Sequence, residues 1–459
     1  MLAEKTRVHL IGIGGIGVSG VARALLALGH DVSGSDVRES QLTTWLRQDG
    51  ARVTIGHAAA NIAGADVVVH STAIPDTNPE LVAARAEGVS VRHRSELLGE
   101  LLDLRPVAVG VVGTHGKGTV SSAITWILEA AGRAPSYIIG GLLENFGKQN
   151  ARWTASDVVV AEVDESDGSL TNVHPTVVVV NNLEADHLNY YESLAHVQDT
   201  VVAALNANPR LERVLVNGDD AGARAIIARL VAPVTTFGRE RADVDVRAAD
   251  ASASIRGGRF TLTVAGEPLG EVALTQPGLY NVDNAVAAAA AALHLGAPFE
   301  AIARALGSFA GLENRFTVVH AAGGRRIVKD YISHPTGIRR VLQAAASDGG
   351  RITAVFKPYR FTMINYLQDD YAEAFHDASH TVITELYTAG EVPIPGIDTA
   401  YLCDKIRSRG PAVTYIPEMD DILPFLHRTV GADEQVIFFG GDDLFRLADR
   451  YAAELGTAD

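Results

Sequence analysis

The sequence predicts an α/β fold with mainly parallel sheets, divided into three domains. Short apolar strand-like runs alternate with Ala- and Leu-rich helical stretches along almost the whole chain, which is typical of parallel α/β layers. The chain has 459 residues. Because domains usually contain about 100–200 residues, we expect three of them. Several strand-like runs stop at glycine-rich or acidic residues, which is where open α/β sheets bind ligands.

The first predicted domain, residues 1–105, opens with a strand, a glycine-rich turn and a helix. Its predicted elements are a strand at Val8–Gly12, a helix near Ser19–Leu28, and strands at Asp31–Gly34 and Val67–His70. The turn contains Gly12, Gly14, Gly15 and Gly17, and Asp36 follows about 20 residues later, where a ribose-binding acid is expected. Glycines allow close approach of a diphosphate, and the helix N-terminus supplies N–H donors. The motif predicts a nucleotide-diphosphate loop, without distinguishing NAD from a UDP-sugar.

The second predicted domain, residues 106–312, contains several buried strands that stop at polar residues. Its predicted strands are Val107–Val112, Asp157–Glu162, Val177–Asn181 and Arg213–Asn217, followed by an antiparallel insertion at Asp250–Pro268 and a helix at about Asn281–Leu295. The first of these strands runs into the segment Gly113-Thr114-His115-Gly116-Lys117. This segment predicts a phosphate loop with a lysine that reaches the β- and γ-phosphates. It is not a regular Walker A motif, because Val111 and Gly118 replace the expected glycine and hydroxyl residue.

Acidic segments follow two further strands of this block. One contains Glu162, and the other ends at His187. Since the carboxyl ends of parallel strands meet at one edge, we expect these side chains in the same crevice as the lysine. Carboxylate oxygen suits Mg²⁺ bound to nucleotide phosphates. The alternative is that these residues are helix caps and turn residues.

The third predicted domain, residues 313–459, begins where the pattern resets around Gly311–Arg315. Its predicted strands are Arg326–Asp330, Ile352–Phe356, Val382–Thr384 and Val436–Phe439. These short buried runs again alternate with helical stretches, so a further α/β block is expected.

Composition excludes several classes of protein. There are 39 Lys and Arg residues against 55 Asp and Glu, a net charge of −16, which has the wrong sign for a nucleic-acid-binding protein. No apolar run approaches the roughly 20 residues that span a bilayer, so we expect no membrane partner. The start of the chain lacks a signal-peptide pattern and Cys403 is the only cysteine, so a reducing cytoplasm is expected.

Together the motifs resemble those of the Mur ligase family along essentially the whole chain. The motifs are GIGGIG from Gly12, GTHGK from Gly113, AEVDESD from Ala161, NLEADH from Asn182, Pro277-Gly278 with Asn281 and Asn284, Arg315-Phe316, Asp330-Tyr331 with His334-Pro335-Thr336, and Ala389-Gly390-Glu391. The resemblance implies a Rossmann-like N-terminal domain, a central P-loop-type ATPase domain and a Rossmann-like C-terminal domain that closes over the site.

The resemblance also implies an activity. The implied activity is that of an ATP-dependent amide ligase, which joins the carboxylate of UDP-N-acetylmuramate, or a related carboxylate, to an amino acid through an acyl phosphate. The branch of the family that the motifs resemble most uses L-alanine, in peptidoglycan biosynthesis. ATP and Mg²⁺ are the implied cofactors, and the expected assembly is a monomer or homodimer.

The resemblance assigns roles residue by residue. Glu162 and His187 would bind magnesium, and with Lys117 and Arg360 they form the implied catalytic set. ATP contacts would come from Gly113, Thr114, His115, Gly116, Lys117, Thr119, Asn281, Asn284, Arg315 and Asp330. The UDP-sugar or amino acid would contact Gly12, Gly14, Gly15, Gly17, Asp36, Ser71, Tyr331, His334 and Arg360.

The chain departs from the family pattern at several motif positions. The family has threonine at Gly118, arginine at Asn314, histidine at Tyr280, histidine at Ser333 and arginine at Met363. Three interpretations stay open: an ordinary alanine ligase that tolerates these changes, a paralogue in specialised metabolism with a different amine or carboxylate, or a non-catalytic nucleotide-binding homologue. At position 118, either a water or Thr119 replaces the lost hydroxyl, or glycine serves a positive φ angle.

Overall fold

The computed structural model describes residues 2, 4–165, 168–186 and 190–456. It contains three sheets in chain order, each flanked by helices, which confirms the predicted three-domain α/β fold. The predicted domain boundaries at 105/106 and 312/313 fall between the elements of successive sheets and stay predictions.

The N-terminal sheet has five parallel strands in the order β3-β2-β1-β4-β5. The strands are β1 (Arg7–Ile11), β2 (Asp31–Asp36), β3 (Arg52–Ile55), β4 (Val67–His70) and β5 (Ser90–His93), and the helices are α1 (Ile16–Ala27), α2 (Gln41–Gln48), α3 (Pro79–Glu87) and α4 (Arg94–Asp103). Four of the five residues of the central strand β1 are buried, as expected for a strand covered on both faces. The order reverses at β1, so the glycine-rich turn after β1 lies at the switch point where such sheets bind ligands.

The central sheet has ten strands in the order β15-β14-β13-β12-β11-β10-β6-β9-β7-β8. The strands are β6 (Val107–Val112), β7 (Ser136–Leu143), β8 (Gln149–Arg152), β9 (Val158–Glu162), β10 (Val177–Val180), β11 (Arg213–Asn217), β12 (Val234–Gly238), β13 (Val246–Ser254), β14 (Gly257–Val264) and β15 (Glu267–Leu274), and the helices are α5 (Lys117–Ala130), α6 (Leu194–Ala207), α7 (Ala221–Arg224), α8 (Leu279–His294) and α9 (Phe299–Leu306). Strands β10, β6 and β9 are parallel neighbours, so their carboxyl ends meet at one edge.

The predicted antiparallel insertion is confirmed and is larger than expected. It forms the three-stranded ladder β13–β14–β15, whose first strand pairs in parallel with β12. The insertion therefore extends the central sheet instead of forming a separate layer. Strands β7 and β8 were not predicted from the sequence, and they pair antiparallel to each other at the other edge of the sheet.

The C-terminal sheet has six strands in the order β16-β17-β21-β18-β19-β20, all parallel except the β16–β17 pair. The strands are β16 (Thr317–Ala322), β17 (Arg325–Asp330), β18 (Ile352–Phe356), β19 (His380–Ile383), β20 (Ala412–Tyr415) and β21 (Gln435–Phe439), and the helices are α10 (Pro335–Ala346), α11 (Phe361–Ala374), α12 (Thr399–Arg407), α13 (Met419–Thr429) and α14 (Asp442–Gly456). Among the described residues, no helix is both long and apolar enough to cross a membrane.

The N-terminal and central domains share one hydrophobic core. Residues of β1 and α1 pack in the same buried cluster as Ile138 and Val159 of the central sheet. Helix α4 also contacts the central domain, where Asn172 Nδ2 donates to Ser95 Oγ at 2.8 Å. Gly99 lies at this contact, and a Cβ there would be 2.1 Å from the Asn172 carbonyl oxygen. The absence of a side chain at Gly99 therefore sets how closely the two domains approach.

We expect Gly99→Ala to destabilise the protein, because the clash is with backbone and cannot be relieved by a side-chain rotation. The free energy of unfolding should fall by about 1–3 kcal/mol, the usual cost of overpacking. Thermal and denaturant unfolding measure it. Gly410→Ala is the control, because a Cβ there would meet its nearest atom at 3.9 Å. Equal stability of the two variants would contradict the prediction.

Candidate active site

The glycine-rich turn is held by the end of β2. The backbone N–H groups of Gly12 and Ile13 donate to the Ser35 carbonyl oxygen at 2.8 and 3.0 Å, and Gly14 N donates to Asp36 Oδ2 at 2.9 Å. Gly12 has a φ of 71°, a conformation that favours glycine. Helix α1 starts directly after this turn without a side-chain cap. Its N-terminal N–H groups therefore suit an anionic ligand, as the sequence predicted.

The remaining predicted UDP-sugar residues lie around this turn. A Cβ at Gly14 would be 2.8 Å from Thr43 Cγ2, and Gly15 is the residue that precedes α1. Gly17 lies in the first turn of α1. Ser71 directly follows β4, the neighbour of β1 in the sheet. Asp36 already binds the turn through one oxygen, so in this structure its carboxylate orders the loop.

The predicted phosphate loop connects β6 to α5 and is fixed from β10. His115 N donates to Asn182 Oδ1 at 2.7 Å, and the Nδ2 groups of Asn181 and Asn182 both donate to the His115 carbonyl oxygen at 2.9 Å. Thr114 Oγ1 accepts from Glu184 N at 2.9 Å. Gly116, which precedes α5, has a φ of 80°, and α5 also begins without a side-chain cap. The loop therefore presents uncapped N–H groups at a helix start, which fits a phosphate.

Lys117 begins α5 and forms a buried ion pair. Its Nζ donates to Glu165 Oε1 and to the Gly113 carbonyl oxygen, both at 2.8 Å. Burial would lower the pKa of Lys117, but the charges of Glu165, Asp164 and Glu162 outweigh burial and hold this pKa well above its ordinary value. Lys117 is therefore a permanent positive charge beside the loop.

Glu162 ends β9 and lies across the crevice from Lys117. Its Oε2 accepts from Gly140 N at 2.7 Å, and a Cβ at Gly118 would be 3.2 Å from the same oxygen. Residues 118 and 162 are thus immediate neighbours. His187, the second predicted magnesium ligand, lies outside the described residues.

The predicted adenosine-side residues form a hydrogen-bonded row on α8. Asn181 Nδ2 lies 3.2 Å from Asn284 Oδ1, Asn284 Nδ2 donates to Asn281 Oδ1 at 3.2 Å, and Asn281 Nδ2 donates to the Pro277 carbonyl oxygen at 2.8 Å. Both α8 asparagines are buried and line the same cavity as the phosphate loop. The cavity has a volume of about 260 Å³ and is also lined by Lys117.

Asp330 reaches this cavity from the C-terminal domain. It is 2% exposed, and its Oδ2 accepts from Phe316 N at 3.0 Å, while its buried Oδ1 has no hydrogen-bond partner among the described residues. Burial raises the pKa of Asp330 to about 7, although the charge of Arg315 and the Phe316 N–H lower it. A buried acceptor without a donor fits a hydroxyl-bearing ligand such as a ribose.

Arg315 lies in the connection between the central and C-terminal domains, in a backbone segment of unusual conformation. Its neighbours Asn314 and Phe316 have φ angles of 58° and 48°, and its Nη1 donates to the Tyr331 carbonyl oxygen at 2.6 Å. Non-glycine residues with positive φ concentrate at functional sites. The connection therefore places a guanidinium in the phosphate-loop cavity, which Arg315 also lines.

A second, larger cleft is lined by residues of all three domains. Its volume is about 810 Å³, and it is lined by Arg38 from the N-terminal domain and by Tyr331, His334 and Arg360 from the C-terminal domain. Arg360 precedes α11 with a φ of 64°, and its buried Nε has no hydrogen-bond partner among the described residues. A guanidinium whose backbone has a positive φ and whose buried Nε lacks a partner fits a carboxylate ligand.

Comparison with known proteins decides the family. The model of the Mur ligase family catalytic domain matches residues 7–105, that of the Mur ligase middle domain matches residues 111–292, and that of the Mur ligase glutamate ligase domain matches residues 314–441. The chain belongs to the Mur ligase family. A UDP-N-acetylmuramate–L-alanine ligase from Geobacter sp. strain M21 is 37% identical over 100% of this chain and 99% of its own length. The enzyme of that name from Rubrobacter xylanophilus is 38% identical over 98% of this chain and 100% of its own.

Solved structures agree with this assignment. The UDP-N-acetylmuramate–alanine ligase MurC from Thermotoga maritima matches with a TM-score of 0.83 and 26% identity, over 99% of this chain and 100% of its own. A murein peptide ligase from Psychrobacter arcticus matches with a TM-score of 0.73 over 98% and 99% of the two chains, and at 22% identity it shows the shared fold alone. The predicted family is confirmed.

Three charged residues that the sequence analysis did not assign lie at the site of this Mur ligase. Glu165 pairs with Lys117, and Arg94 lies beside Gly17, where a Cβ would be 3.2 Å from its Nη1. Lys357 lines the large cleft and pairs with Asp443. Two of them could have been found from the sequence. A buried lysine needs a counter-charge, which indicates an acid such as Glu165, and Lys357 directly follows the buried strand β18. Arg94 could not, because only tertiary packing brings it to the turn.

The central and C-terminal domains of this Mur ligase meet beside the phosphate loop. Thr336 Oγ1 donates to Glu184 Oε2 at 2.7 Å, and His115 Nε2 lies 3.3 Å from the same oxygen. The rings of His115 and His334 are 4.6 Å apart. Burial lowers the pKa of His334 to about 4, assisted by the charge of His115. The phosphate loop and the start of α10 are thus joined through one carboxylate.

The glycine at position 118 does not serve a positive φ angle, so that alternative is excluded. Gly118 lies in the first turn of α5 and is absent from the residues with positive φ. Space is limited, because a Cβ would be 2.9 Å from Leu312 Cδ1. Leu312 is a flexible side chain, so a larger residue can be accommodated by a rotamer change.

We expect the stability of this Mur ligase to depend on Asp330 between about pH 4 and pH 7. The pKa of Asp330 is raised to about 7 in the folded protein, so the folded state binds more protons than the unfolded state across this window. Its contribution to the free energy of unfolding therefore falls as pH rises, by up to about 1.4 kcal/mol per pH unit. Asp330→Asn removes this loss, so the stability of the variant relative to wild type should rise with pH.

Unfolding of wild type and Asp330→Asn from about pH 4.5 to pH 8 measures this difference. This range approximately covers the pKa values of Asp330 in the unfolded and folded states. Asp420→Asn is the control, because Asp420 is exposed on α13. Parallel pH profiles for wild type and Asp330→Asn would show that the Asp330 carboxyl titrates normally.

Proposed function

We propose that this chain is an ATP-dependent ligase that joins the carboxylate of UDP-N-acetylmuramate to L-alanine. The observation that carries the proposal is the whole-length identity of 37% to a UDP-N-acetylmuramate–L-alanine ligase. Its support in the site is the presence of two uncapped helix starts, at the glycine-rich turn and at the phosphate loop, each suited to a phosphate-bearing ligand. The activation of a nucleotide-linked carboxylate by a second nucleotide would use both helix starts.

The residues at the phosphate loop fit ATP with Mg²⁺. We assign Lys117 and the loop N–H groups to the phosphates, and Asn281, Asn284, Arg315 and Asp330 to the rest of the nucleotide. Glu162 offers a carboxylate oxygen beside position 118, which is the donor chemistry that Mg²⁺ prefers. We propose that His187 completes this site. When bound, ATP supplies the phosphoryl group that turns the carboxylate into an acyl phosphate.

The chain's own groups then serve positioning and charge neutralisation. Lys117 is fixed in direction by Glu165, so its charge is already oriented towards the cavity before a nucleotide enters. Arg315 brings a second cation from the connection between domains. Phosphoryl transfer depends mainly on such preorganised charge, so these residues can account for most of the acceleration.

The amine enters the large cleft in this proposal. Arg360 binds the carboxylate of the amino acid, and Tyr331 and His334 line the same wall. Met363 lines this cleft too and offers no charge where the family has arginine. We therefore expect weak affinity for free L-alanine. The presence of Met363 in this cleft is the observation that keeps a different amine as the second candidate.

The decisive experiment uses the purified chain with ATP, Mg²⁺, UDP-N-acetylmuramate and a panel of amino acids. Phosphate release that requires both the UDP-sugar and L-alanine, with a product of the expected mass, supports the proposal. Release with another amine alone identifies the diverged paralogue. If no phosphate release depends on both the carboxylate and the amine, the non-catalytic homologue is the interpretation that remains.

We expect Lys117→Ala to lower turnover at least about a hundredfold, because a charge-assisted contact to the transferred phosphoryl group is lost. The substitution also strands the Glu165 carboxylate, which will reduce stability. The double variant Lys117→Ala, Glu165→Gln removes that buried charge and should recover stability without turnover. Lys148→Ala, at a half-exposed pair with Glu313, is the control. Turnover near wild type in the double variant would remove Lys117 from the mechanism.

We expect Arg360→Lys to raise the KM for the amino acid about tenfold or more, since an ammonium cannot make the bidentate bond of a guanidinium. The KM for ATP should change little, because Arg360 does not line the phosphate-loop cavity. Steady-state kinetics with each substrate varied in turn measure both values. Arg409→Lys, at an exposed ion pair with Glu373, is the control. An unchanged KM for the amino acid would place its carboxylate elsewhere.

A further inference from the structure

A buried carboxylate lies under the glycine-rich turn and has no role in the assignments above. Glu80, in the first turn of α3, is 0% exposed. Its Oε2 accepts from Ser35 Oγ at 2.6 Å and from His9 Nε2 at 3.2 Å. Its Oε1 accepts from Asn61 Nδ2 at 2.6 Å and from Ala58 N at 3.3 Å. Both oxygens therefore have donors, and the carboxylate is bound as an anion.

The donors come from different segments at the carboxyl edge of the N-terminal sheet. His9 lies on β1, Ser35 on β2, and Ala58 and Asn61 in the segment after β3. Glu80 itself follows the connection between β4 and α3. One carboxylate thus joins strands β1 and β2, the segment after β3 and the start of α3.

The connection between Glu80 and the nucleotide loop is short. The Ser35 hydroxyl binds Glu80, and the Ser35 carbonyl oxygen accepts the N–H groups of Gly12 and Ile13. The next residue, Asp36, accepts the N–H of Gly14. On the other side, Ile74 packs on the turn, since a Cβ at Gly12 would be 3.2 Å from its Cδ1. Movement of Glu80 would therefore move the Ser35–Asp36 segment that holds the turn.

The charge of Glu80 is part of this arrangement. Burial alone would raise the pKa of Glu80, but the hydrogen bonds from His9, Ser35 and Asn61 lower it to about 2. A second histidine, His57, lies within reach, with its Nδ1 2.9 Å from Ser35 Oγ and 3.5 Å from Glu80 Oε1. A glutamine at position 80 would direct its NH₂ group at one of the two sets of donors that the Glu80 oxygens accept from. The isosteric change therefore breaks hydrogen bonds without changing volume.

We propose that Glu80 is the positioning residue for the UDP-sugar, holding the glycine-rich turn in its binding conformation through Ser35. This inference rests on the proposed function, because it concerns the same nucleotide loop. It predicts a selective loss of UDP-sugar affinity. The phosphate loop for ATP belongs to the central domain and is fixed by different residues, so ATP use should not change.

The test is Glu80→Gln, with Glu87→Gln as the matched control on the exposed side of the same helix. Titration calorimetry with UDP-N-acetylmuramate should show a dissociation constant raised about tenfold, equivalent to about 1.4 kcal/mol. Steady-state kinetics should show the same rise in KM for the UDP-sugar. The kcat and the KM for ATP should stay within about twofold of the wild-type values. A merely structural role would lower thermal stability and the active fraction without moving one substrate's KM.

Ser35→Ala keeps the inference testable if Glu80→Gln does not fold. It removes only the hydroxyl that connects Glu80 to β2, so it should weaken UDP-sugar binding in the same selective way. Unchanged UDP-sugar affinity in a folded Glu80→Gln protein, or equal losses for UDP-sugar and ATP, would overturn the inference. Failure of the wild-type protein to bind UDP-N-acetylmuramate would instead overturn the proposed function.

Discussion

The phosphate loop depends on two asparagines that are remote from it in sequence. A loop with positive φ angles at Gly113 and Gly116 has no regular hydrogen-bond pattern to hold it. Asn181 and Asn182 supply that pattern by binding both the N–H and the carbonyl oxygen of His115. Because β10 is the direct neighbour of β6, its polar end lies where the loop begins. The direction of α5, and with it Lys117, follows from this clamp.

Buried carboxylates at the glycine-rich turn and at the phosphate loop differ in how their oxygens are satisfied. Glu80 and Glu165 are bound by donors or a cation and fix a loop or a lysine. Asp330 keeps one oxygen without a donor among the described residues, and its pKa is raised. Glu80 and Glu165 hold a loop and a lysine in place without a ligand. The Asp330 Oδ1 atom, in contrast, would gain a hydrogen-bond donor from a ligand. In the proposed function, that difference distinguishes carboxylates that position a loop or a lysine from one that binds the ligand.

The C-terminal domain completes both cavities. Arg315 and Asp330 reach the phosphate-loop cavity from the connection and from the end of β17, and Arg360 faces the cleft that Arg38 lines from the N-terminal domain. Contacts between Thr336 and Glu184 hold α10 against the central domain beside the loop. The phosphate-loop cavity draws its charged groups from two domains and the large cleft from all three, so the relative position of the domains determines whether the groups meet.

The sequence by itself determined the α/β class, the three sheets, most of their inner strands and the position of the two glycine-containing loops that precede α1 and α5. These follow from local patterns, since buried strands read as apolar runs and glycine turns before helices have few other uses. The structure alone decided that Glu165 pairs with Lys117, that Arg94 lies beside Gly17 and that Glu80 lies under the turn. It also showed that Gly118 is helical and adjacent to Glu162, and that β13–β15 continue the central sheet. Such pairings join residues that are distant along the chain, and they arise from strand order and helix packing, which no local pattern encodes.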